Sequence, residues 1–140
     1  MGTGRYNRHR VKSGFSLVEL LIVLSILGIL ASVAIPIFLQ QKDDAIIGVT
    51  KANLNTIRSA LTQYSIGTAD NRYLPGTLGY FDFRAALPGA NLPPSESEAR
   101  MVSGSFLYSG DGASYTLNVI SSNRTAARFS ATPSGIFQEK

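Results

Sequence analysis

Residues 15–39 read FSLVELLIVLSILGILASVAIPIFL, and this apolar stretch decides the fold of the first part of the chain. Of its 25 residues, 19 are Ala, Val, Ile, Leu or Phe. As an α-helix the stretch extends about 37 Å, which is enough to cross a hydrocarbon core of about 30 Å. The sequence therefore predicts a membrane-spanning helix over 15–39.

Basic residues are concentrated immediately before this stretch. Residues 1–14 carry no acid and four cations, Arg5, Arg8, Arg10 and Lys12. The rest of the chain has nine basic and nine acidic residues, so the net charge of +4 belongs to the N-terminal segment. Because cations beside a membrane helix stay on the cytoplasmic side, we expect residues 40–140 on the opposite side of the membrane.

One acid, Glu19, interrupts the apolar stretch, where it costs up to about 2.5 to 3.5 kcal/mol at the bilayer centre and less near an end. No Lys or Arg lies within 15–39 to neutralise it. A cut just before Phe15 would create an α-amino group, protonated near neutral pH, four residues away. We therefore expect Glu19 to pair with that amine on its own helix or on another subunit.

Two simpler interpretations remain open, a conventional signal peptide and an uncleaved membrane anchor. Ser32-Val33-Ala34 offers small residues ahead of a cut at Ile35. The apolar run before that point exceeds the usual h-region of about 7 to 15 residues, and Pro36 follows the cut directly. Neither interpretation explains Glu19.

The segment KSGFSLVELLIV at 12–23 resembles the N-terminal signature of bacterial type IV pilins and type II secretion pseudopilins. The resemblance implies that a prepilin peptidase cuts between Gly14 and Phe15 and leaves N-methylphenylalanine at Phe15. It also implies that Glu19 neutralises the Phe15 amine of a neighbouring subunit during assembly. Gly28 and Pro36 stand where this family carries helix-weakening residues.

The same resemblance implies a life cycle. The basic leader, 1–14, is removed, and 15–39 holds the subunit in the bacterial inner membrane as a single pass with its N-terminus cytoplasmic. An inner-membrane assembly platform and its ATPase then build a helical homo- or hetero-filament, with 15–39 in its core. The partners are thus other subunits, the peptidase, the platform and, before assembly, membrane lipid. The product is an extracellular pilus or a periplasmic pseudopilus.

The remaining residues, 40–140, predict a pilin-like head. The helix continues over 40–65 as an amphipathic segment that ends near Gly67. Its apolar stripe is formed by Ile47, Leu54, Ile57, Leu61 and Tyr64, with Thr50 at the missing position. The fold class is therefore α+β: a long N-terminal helix, with a membrane half and an amphipathic half, packed on a small antiparallel β-sheet.

Two further segments follow that helix. Pro, Gly and Asn turn signals predict a loop over 66–100, with a short helical turn from Phe83 to Leu87. The aromatic residues at 80–83 are expected in the core or at a subunit contact. Short β-type runs separated by turn residues predict antiparallel strands over 101–138.

The composition argues against an enzyme. The chain has no Cys, which excludes a disulfide, a thiolate nucleophile and a zinc ribbon, and its single histidine, His9, lies in the expected leader. The remaining acids are scattered among turns and polar helix faces. We therefore expect no catalytic residue, no metal and no cofactor.

Three weaker patterns occur in the second half of the sequence. Gly110-Asp111-Gly112 supplies one acid, too few for calcium, and is expected to be a hairpin turn. Asn123-Arg124-Thr125 matches a glycosylation pattern that is frequent by chance. Arg124 and Arg128 form no basic stripe, so nucleic acid is not expected as a partner.

The sequence thus predicts a structural subunit of a type IV pilus-like filament. A pseudopilin of a type II secretion system is the alternative within the same class. A membrane-anchored periplasmic binding module, which would never form filaments, is the alternative from a different class.

Overall fold

The computed structural model describes residues 14–139, so the predicted leader lies outside the described residues except for Gly14. The chain divides into two compact units between Phe38 and Leu39. The longest element is the helix α1, Leu17–Gly67, which contributes residues to both units.

In the first unit, every apolar side chain of α1 is exposed, from Leu17 to Phe38. The two serines of this segment satisfy their hydroxyl groups locally, because Ser25 donates to the Leu21 carbonyl at 2.8 Å and Ser32 to the Ile29 carbonyl at 2.7 Å. Among the described residues, α1 is the one helix whose length and hydropathy suit a membrane span. Such a surface is unfavourable in water and needs an apolar environment.

In the second unit, one face of α1 is buried, which follows from the period of its apolar residues. The buried positions recur every three or four residues along the helix, at Thr50, Leu54, Ile57, Leu61 and Ser65. Ile47 and Tyr64 pack against the same core from its margins. The predicted stripe is therefore the face that packs on the sheet.

The sheet has five antiparallel strands in chain order, β1-β2-β3-β4-β5. Their bounds are Gly76–Leu78, Leu107–Gly110, Tyr115–Ile120, Arg128–Thr132 and Gly135–Gln138. In β3, Tyr115, Leu117 and Val119 are buried whereas Thr116 and Asn118 are exposed. This alternation of buried and exposed residues places one face of the sheet against α1. The predicted α+β, pilin-like fold is confirmed.

The structure differs from the sequence prediction within 66–100. That region contains β1 and a short helix α2, Tyr80–Ala86, followed by a 3₁₀ turn, Pro88–Ala90. Tyr80 and Phe83 lie one helical turn apart and are both buried, whereas Phe81 between them is 68% exposed. Two of the three aromatic residues expected in the core, Tyr80 and Phe83, therefore reach it, and they do so from a helix that begins three residues earlier than the predicted turn.

Aromatic rings fill the space between α2 and the sheet. The ring centroids of Phe83 lie 5.2 Å from Phe106 and 5.0 Å from Tyr108. The Tyr108 hydroxyl donates to the Leu74 carbonyl at 2.7 Å, and burial raises the pKa of Tyr108. Any side chain at Gly110 would collide with that carbonyl and that hydroxyl, so this glycine is required by the close approach.

A buried polar contact joins α1 to the loops beside the sheet. Thr50 Oγ1 lies 3.0 Å from the Ile46 carbonyl, 3.0 Å from the Arg100 carbonyl and 3.1 Å from Ser121 Oγ. The single hydroxyl proton of Thr50 serves the carbonyls, so Ser121 must be the donor to Thr50. Both side chains are fully buried. The polar residue in the apolar stripe is therefore the acceptor that Ser121 needs.

Replacement of Thr50 by Val is expected to lower the free energy of unfolding by about 1 to 3 kcal/mol, because the buried Ser121 hydroxyl loses its acceptor. The measurement is urea unfolding of the full-length chain in detergent, followed by the near-ultraviolet circular dichroism of its buried tyrosines. Thr56→Val is the matched control, since Thr56 is exposed and bonds only within α1. Equal unfolding midpoints for the two variants would contradict this role of Thr50.

Candidate assembly site

The predicted cleavage point lies outside regular structure. Gly14 and Phe15 precede α1, and Phe15 is 84% exposed. A side chain built at Gly14 would meet no atom within 4 Å. A peptide bond in such an exposed, non-helical segment is open to a peptidase. The position fits the processing prediction, which stays a prediction.

Glu19 lies in the first turn of α1, where the helix N-terminus favours a negative charge. Its side chain is exposed. Within residues 14–139 the single ion pair joins Asp43 and Arg124, so no cation of the described chain neutralises Glu19. An acid in an apolar segment without a cationic partner among the described residues is the arrangement that a contact between subunits would complete.

Gly28 and Pro36 both lie within α1. A side chain at Gly28 would meet no atom within 4 Å, so the glycine is not demanded by packing inside a single chain. Pro36 has no N–H, and the Ser32 carbonyl therefore lacks its usual helical donor. In general, glycine lowers helix stability by about 1 kcal/mol and proline by more, so the helix-weakening role of these two positions stays a prediction.

The structure adds an ion pair that the sequence prediction missed. Asp43 accepts two hydrogen bonds from Arg124, one from Nε at 2.7 Å and one from the backbone N–H at 3.2 Å. These bonds hold the pKa of Asp43 below its ordinary value of 3.8. The two residues are 81 positions apart, and no local pattern connects them. The pair fixes the loop 121–127 to α1.

The possible glycosylation site is part of this loop. Asn123 is only 6% exposed. Its Oδ1 accepts the backbone N–H of Ala127 at 2.9 Å, and its Nδ2 donates to the hydroxyl of Thr125. The amide nitrogen that would carry a glycan is therefore engaged in the turn.

Asp111, the acid that was considered as a calcium ligand, also binds backbone N–H groups. Asp111 lies in the connection between β2 and β3, where its Oδ1 accepts the N–H groups of Ala113 at 2.9 Å and Ser114 at 2.6 Å. These bonds lower the pKa of Asp111. Among the described residues, no group of three or more His, Cys, Asp or Glu side chains could hold a metal ion.

One buried carboxylate was not anticipated. Glu96 is 7% exposed, and its two oxygens accept the N–H groups of Gly104 at 2.6 Å and Phe106 at 2.9 Å. Both acceptors are thus occupied by the loop that leads into β2. This acid therefore stabilises the loop through its backbone N–H groups.

Comparison with known proteins gives a family match for the N-terminal region. Residues 9–35 match the family model of the prokaryotic N-terminal methylation motif. This segment includes both Gly14 and Phe15, and also Glu19 and Gly28.

Two curated relatives extend the similarity beyond that motif. The chain is 33% identical over 87 residues to the type II secretion system core protein G of Pseudomonas aeruginosa, and 34% identical over 70 residues to that of Klebsiella michiganensis. These alignments cover 62% and 50% of this chain. The chain spans 59% and 47% of the lengths of the two relatives. No solved structure matches the chain.

Replacement of Asp43 by Asn is expected to speed hydrogen exchange in the loop 121–127, because the charge-assisted bonds from Arg124 are lost. Since the pKa of Asp43 is lowered in the folded chain, the stabilisation is present above about pH 3.8 and disappears as the pH falls through the lowered value. Asp44→Asn is the control, as Asp44 is the exposed neighbour. Similar exchange of the Arg124 amide in both variants at neutral pH would contradict the assignment.

Proposed function

We propose that this chain belongs to the type IV pilin and pseudopilin family and is a structural subunit of a type IV pilus-like filament. The observation that carries the proposal is the coincidence of a methylation-motif match at 9–35 with an apolar helix that exposes its side chains throughout the first unit. As a structural subunit, the chain is proposed to have no enzymatic activity.

The helix supports an inner-membrane anchor that later becomes a filament core. Lipid and neighbouring helices are both apolar environments, so the same surface suits both states. We propose a single pass with residues 1–14 in the cytoplasm and the second unit across the membrane, as the basic leader requires. Transfer between the two states needs a peptidase, an assembly platform and its ATPase as partners.

Glu19 is the proposed register group of the assembly. Cleavage after Gly14 would give Phe15 a positive amine that could meet Glu19 of the adjacent subunit. A buried charge without its partner costs several kcal/mol, so the pair penalises wrong axial positions. Its exposed position in the first turn of α1, with no described cation nearby, supports this role.

A pseudopilin of a type II secretion system is the second candidate, and the names of both relatives favour it. A pilus filament is extracellular, whereas a pseudopilus is confined to the periplasm. Fractionation of the assembled filaments into surface-sheared and periplasmic material therefore separates the two candidates.

The first test is mass spectrometry of the N-terminus of the protein purified from its host. We expect the mature chain to begin at Phe15 and to be heavier than the unmodified sequence by one methyl group. A terminus at Ile35 would identify a secreted domain with a conventional signal peptide. An intact Met1 together with absence of filaments would favour a membrane-anchored binding module.

The second test replaces Glu19 by Ala. Membrane insertion is expected to persist, since the apolar stretch becomes more apolar, whereas filament yield falls by tenfold or more for a loss of about 1.4 kcal/mol or more per contact. Asp82→Ala is the control, because Asp82 is an exposed acid of α2. A wild-type filament yield from the Glu19 variant would refute the proposed pairing.

A further inference from the structure

The chain leaves its apolar stretch at a defined point. Residues 20–39 carry no charge, and as a helix they extend about 30 Å, the thickness of a hydrocarbon core. Glu19 and Gln40 are the polar residues that flank this segment. The headgroup layer on each side of the core adds about 5 to 7 Å. Residues 40–44 of α1 therefore lie in that layer when the helix spans the membrane.

A loop beside the sheet is bound to α1 at this same level. Asp43 follows Leu39 by four residues, which is about 6 Å along the helix. Asp43 accepts the two hydrogen bonds from Arg124, and both residues belong to the second unit. The loop 121–127 is thereby held where the chain passes through the headgroup layer.

The exposed surface of this loop is polar and carries one cation. The loop contains no acid, and its exposed residues are Ser122, Arg124, Thr125 and Ala126. The Arg124 side chain is 58% exposed although its Nε is bonded to Asp43 at 2.7 Å. The hydrogen bonds that Arg124 makes within the described chain use its Nε and its backbone N–H. Its two terminal Nη groups remain available as a planar pair of donors, which matches the geometry of a phosphate.

The neighbouring residues of α1 supply one more cation and one more acid. Arg124 and, to a smaller extent, Lys42 hold the pKa of Asp43 below its ordinary value, which places the Lys42 ammonium near the ion pair. Asp44 is exposed, and within 14–139 its carboxylate takes part in no ion pair. It lies about 100° around the helix from Asp43 and thus beside the Arg124 guanidinium.

These four side chains form a neutral cluster of both signs, which fits a zwitterion better than an anion. A phosphate bonded to Arg124 and attracted by Lys42 would leave the charge of Asp44 without a partner, unless the same ligand also carries a cation. A primary ammonium group has three N–H donors for a carboxylate, whereas a trimethylated nitrogen has none. The ligand chemistry of the cluster is therefore a phosphate joined to a primary ammonium group.

We propose that Arg124 and Asp44 bind the headgroup of a phospholipid that joins a phosphate to a primary ammonium group, as in phosphatidylethanolamine. The phosphate lies against the Nη groups of Arg124, and the ammonium lies against the Asp44 carboxylate. The source is a membrane lipid because α1 holds the cluster at the level of the headgroups. The inference rests on the proposed function, in its membrane-anchored state before assembly, and adds to it a specific lipid contact.

The first experiment measures which lipid the full-length chain retains. The chain is reconstituted into nanodiscs with equal amounts of phosphatidylethanolamine, phosphatidylglycerol and phosphatidylcholine, and the lipids that stay bound after release are counted by native mass spectrometry. We expect phosphatidylethanolamine to exceed phosphatidylcholine by about threefold, as for one ion pair between exposed groups. Equal retention of the three lipids, or enrichment of phosphatidylglycerol alone, would overturn the proposal.

Two variants assign the two halves of the headgroup. Asp44→Asn removes the acceptor of the ammonium and is expected to abolish the preference for phosphatidylethanolamine over phosphatidylcholine. Arg124→Lys keeps a cation beside Asp43 but loses the planar donor pair, so retention of all three lipids should fall by about threefold. Asp82→Asn and Arg84→Lys are the matched controls on α2, where both residues are exposed, and they should behave as wild type. A preference that survives Asp44→Asn would overturn the assignment.

A second experiment measures the depth of the loop without any assumption about lipid type. Because the chain has no Cys, Ser122→Cys and Ser134→Cys each carry a single fluorophore. Ser134 follows Pro133, whose carbonyl accepts from Arg58, and Arg58 lies 15 residues beyond Asp43, or about 22 Å along α1. A nitroxide attached to lipid headgroups is expected to quench the label at 122 and to leave the label at 134 at its unquenched intensity.

The outcomes separate this inference from the proposed function. A third label, at Val33→Cys, reports insertion of the apolar stretch through quenching by lipids brominated on their acyl chains. Quenching of that label without quenching at 122 would refute the lipid contact alone. Absence of quenching at 33 would refute the membrane anchoring on which the proposed function depends.

Discussion

The apolar surface of α1 in residues 17–38 is the constraint on which the rest of the molecule depends. No part of that span is buried within the chain, so its burial must come from lipid or from other helices. Residues 39–67 of the same helix solve the problem differently, by covering their apolar face with a five-stranded sheet. One helix therefore carries two kinds of hydrophobic surface, the first completed by its surroundings and the second by the chain itself.

Buried polar groups set the detailed geometry of the second unit. Thr50 and Ser121 bond to each other in the core, and both oxygens of Glu96 are occupied by backbone N–H groups. No buried side-chain nitrogen or oxygen among the described residues lacks a partner. Because an unsatisfied buried group costs about 1 to 3 kcal/mol, these contacts specify one arrangement of loops around α1. The sheet supplies the packing area, and the polar contacts select its register against the helix.

The elements with a strong local period could be predicted from the sequence. The apolar residues of α1 from Leu54 to Leu61 and the alternating buried and exposed residues of β3 each repeat over several positions. Burial of one face of these elements therefore produces a periodic pattern in the sequence. β1 has only three residues, which is too short for a periodic pattern of apolar residues, and it forms by pairing with β2. The contacts between Asp43 and Arg124, and between Thr50 and Ser121, join residues more than 70 positions apart. The candidate processing and assembly residues came from a motif, whereas the burial of Glu96 by backbone N–H groups could be seen only in the folded structure.

The order of the strands has a kinetic consequence. Since each strand lies beside its predecessor in the chain, most strand pairs form between nearby segments, and three of the four pairings close short loops. Folding rates rise when contacting residues are close in sequence, because less chain entropy is lost before the contacts form. With no Cys in the sequence, no step waits for thiol oxidation. The topology of the second unit thus favours rapid folding that needs no redox catalyst.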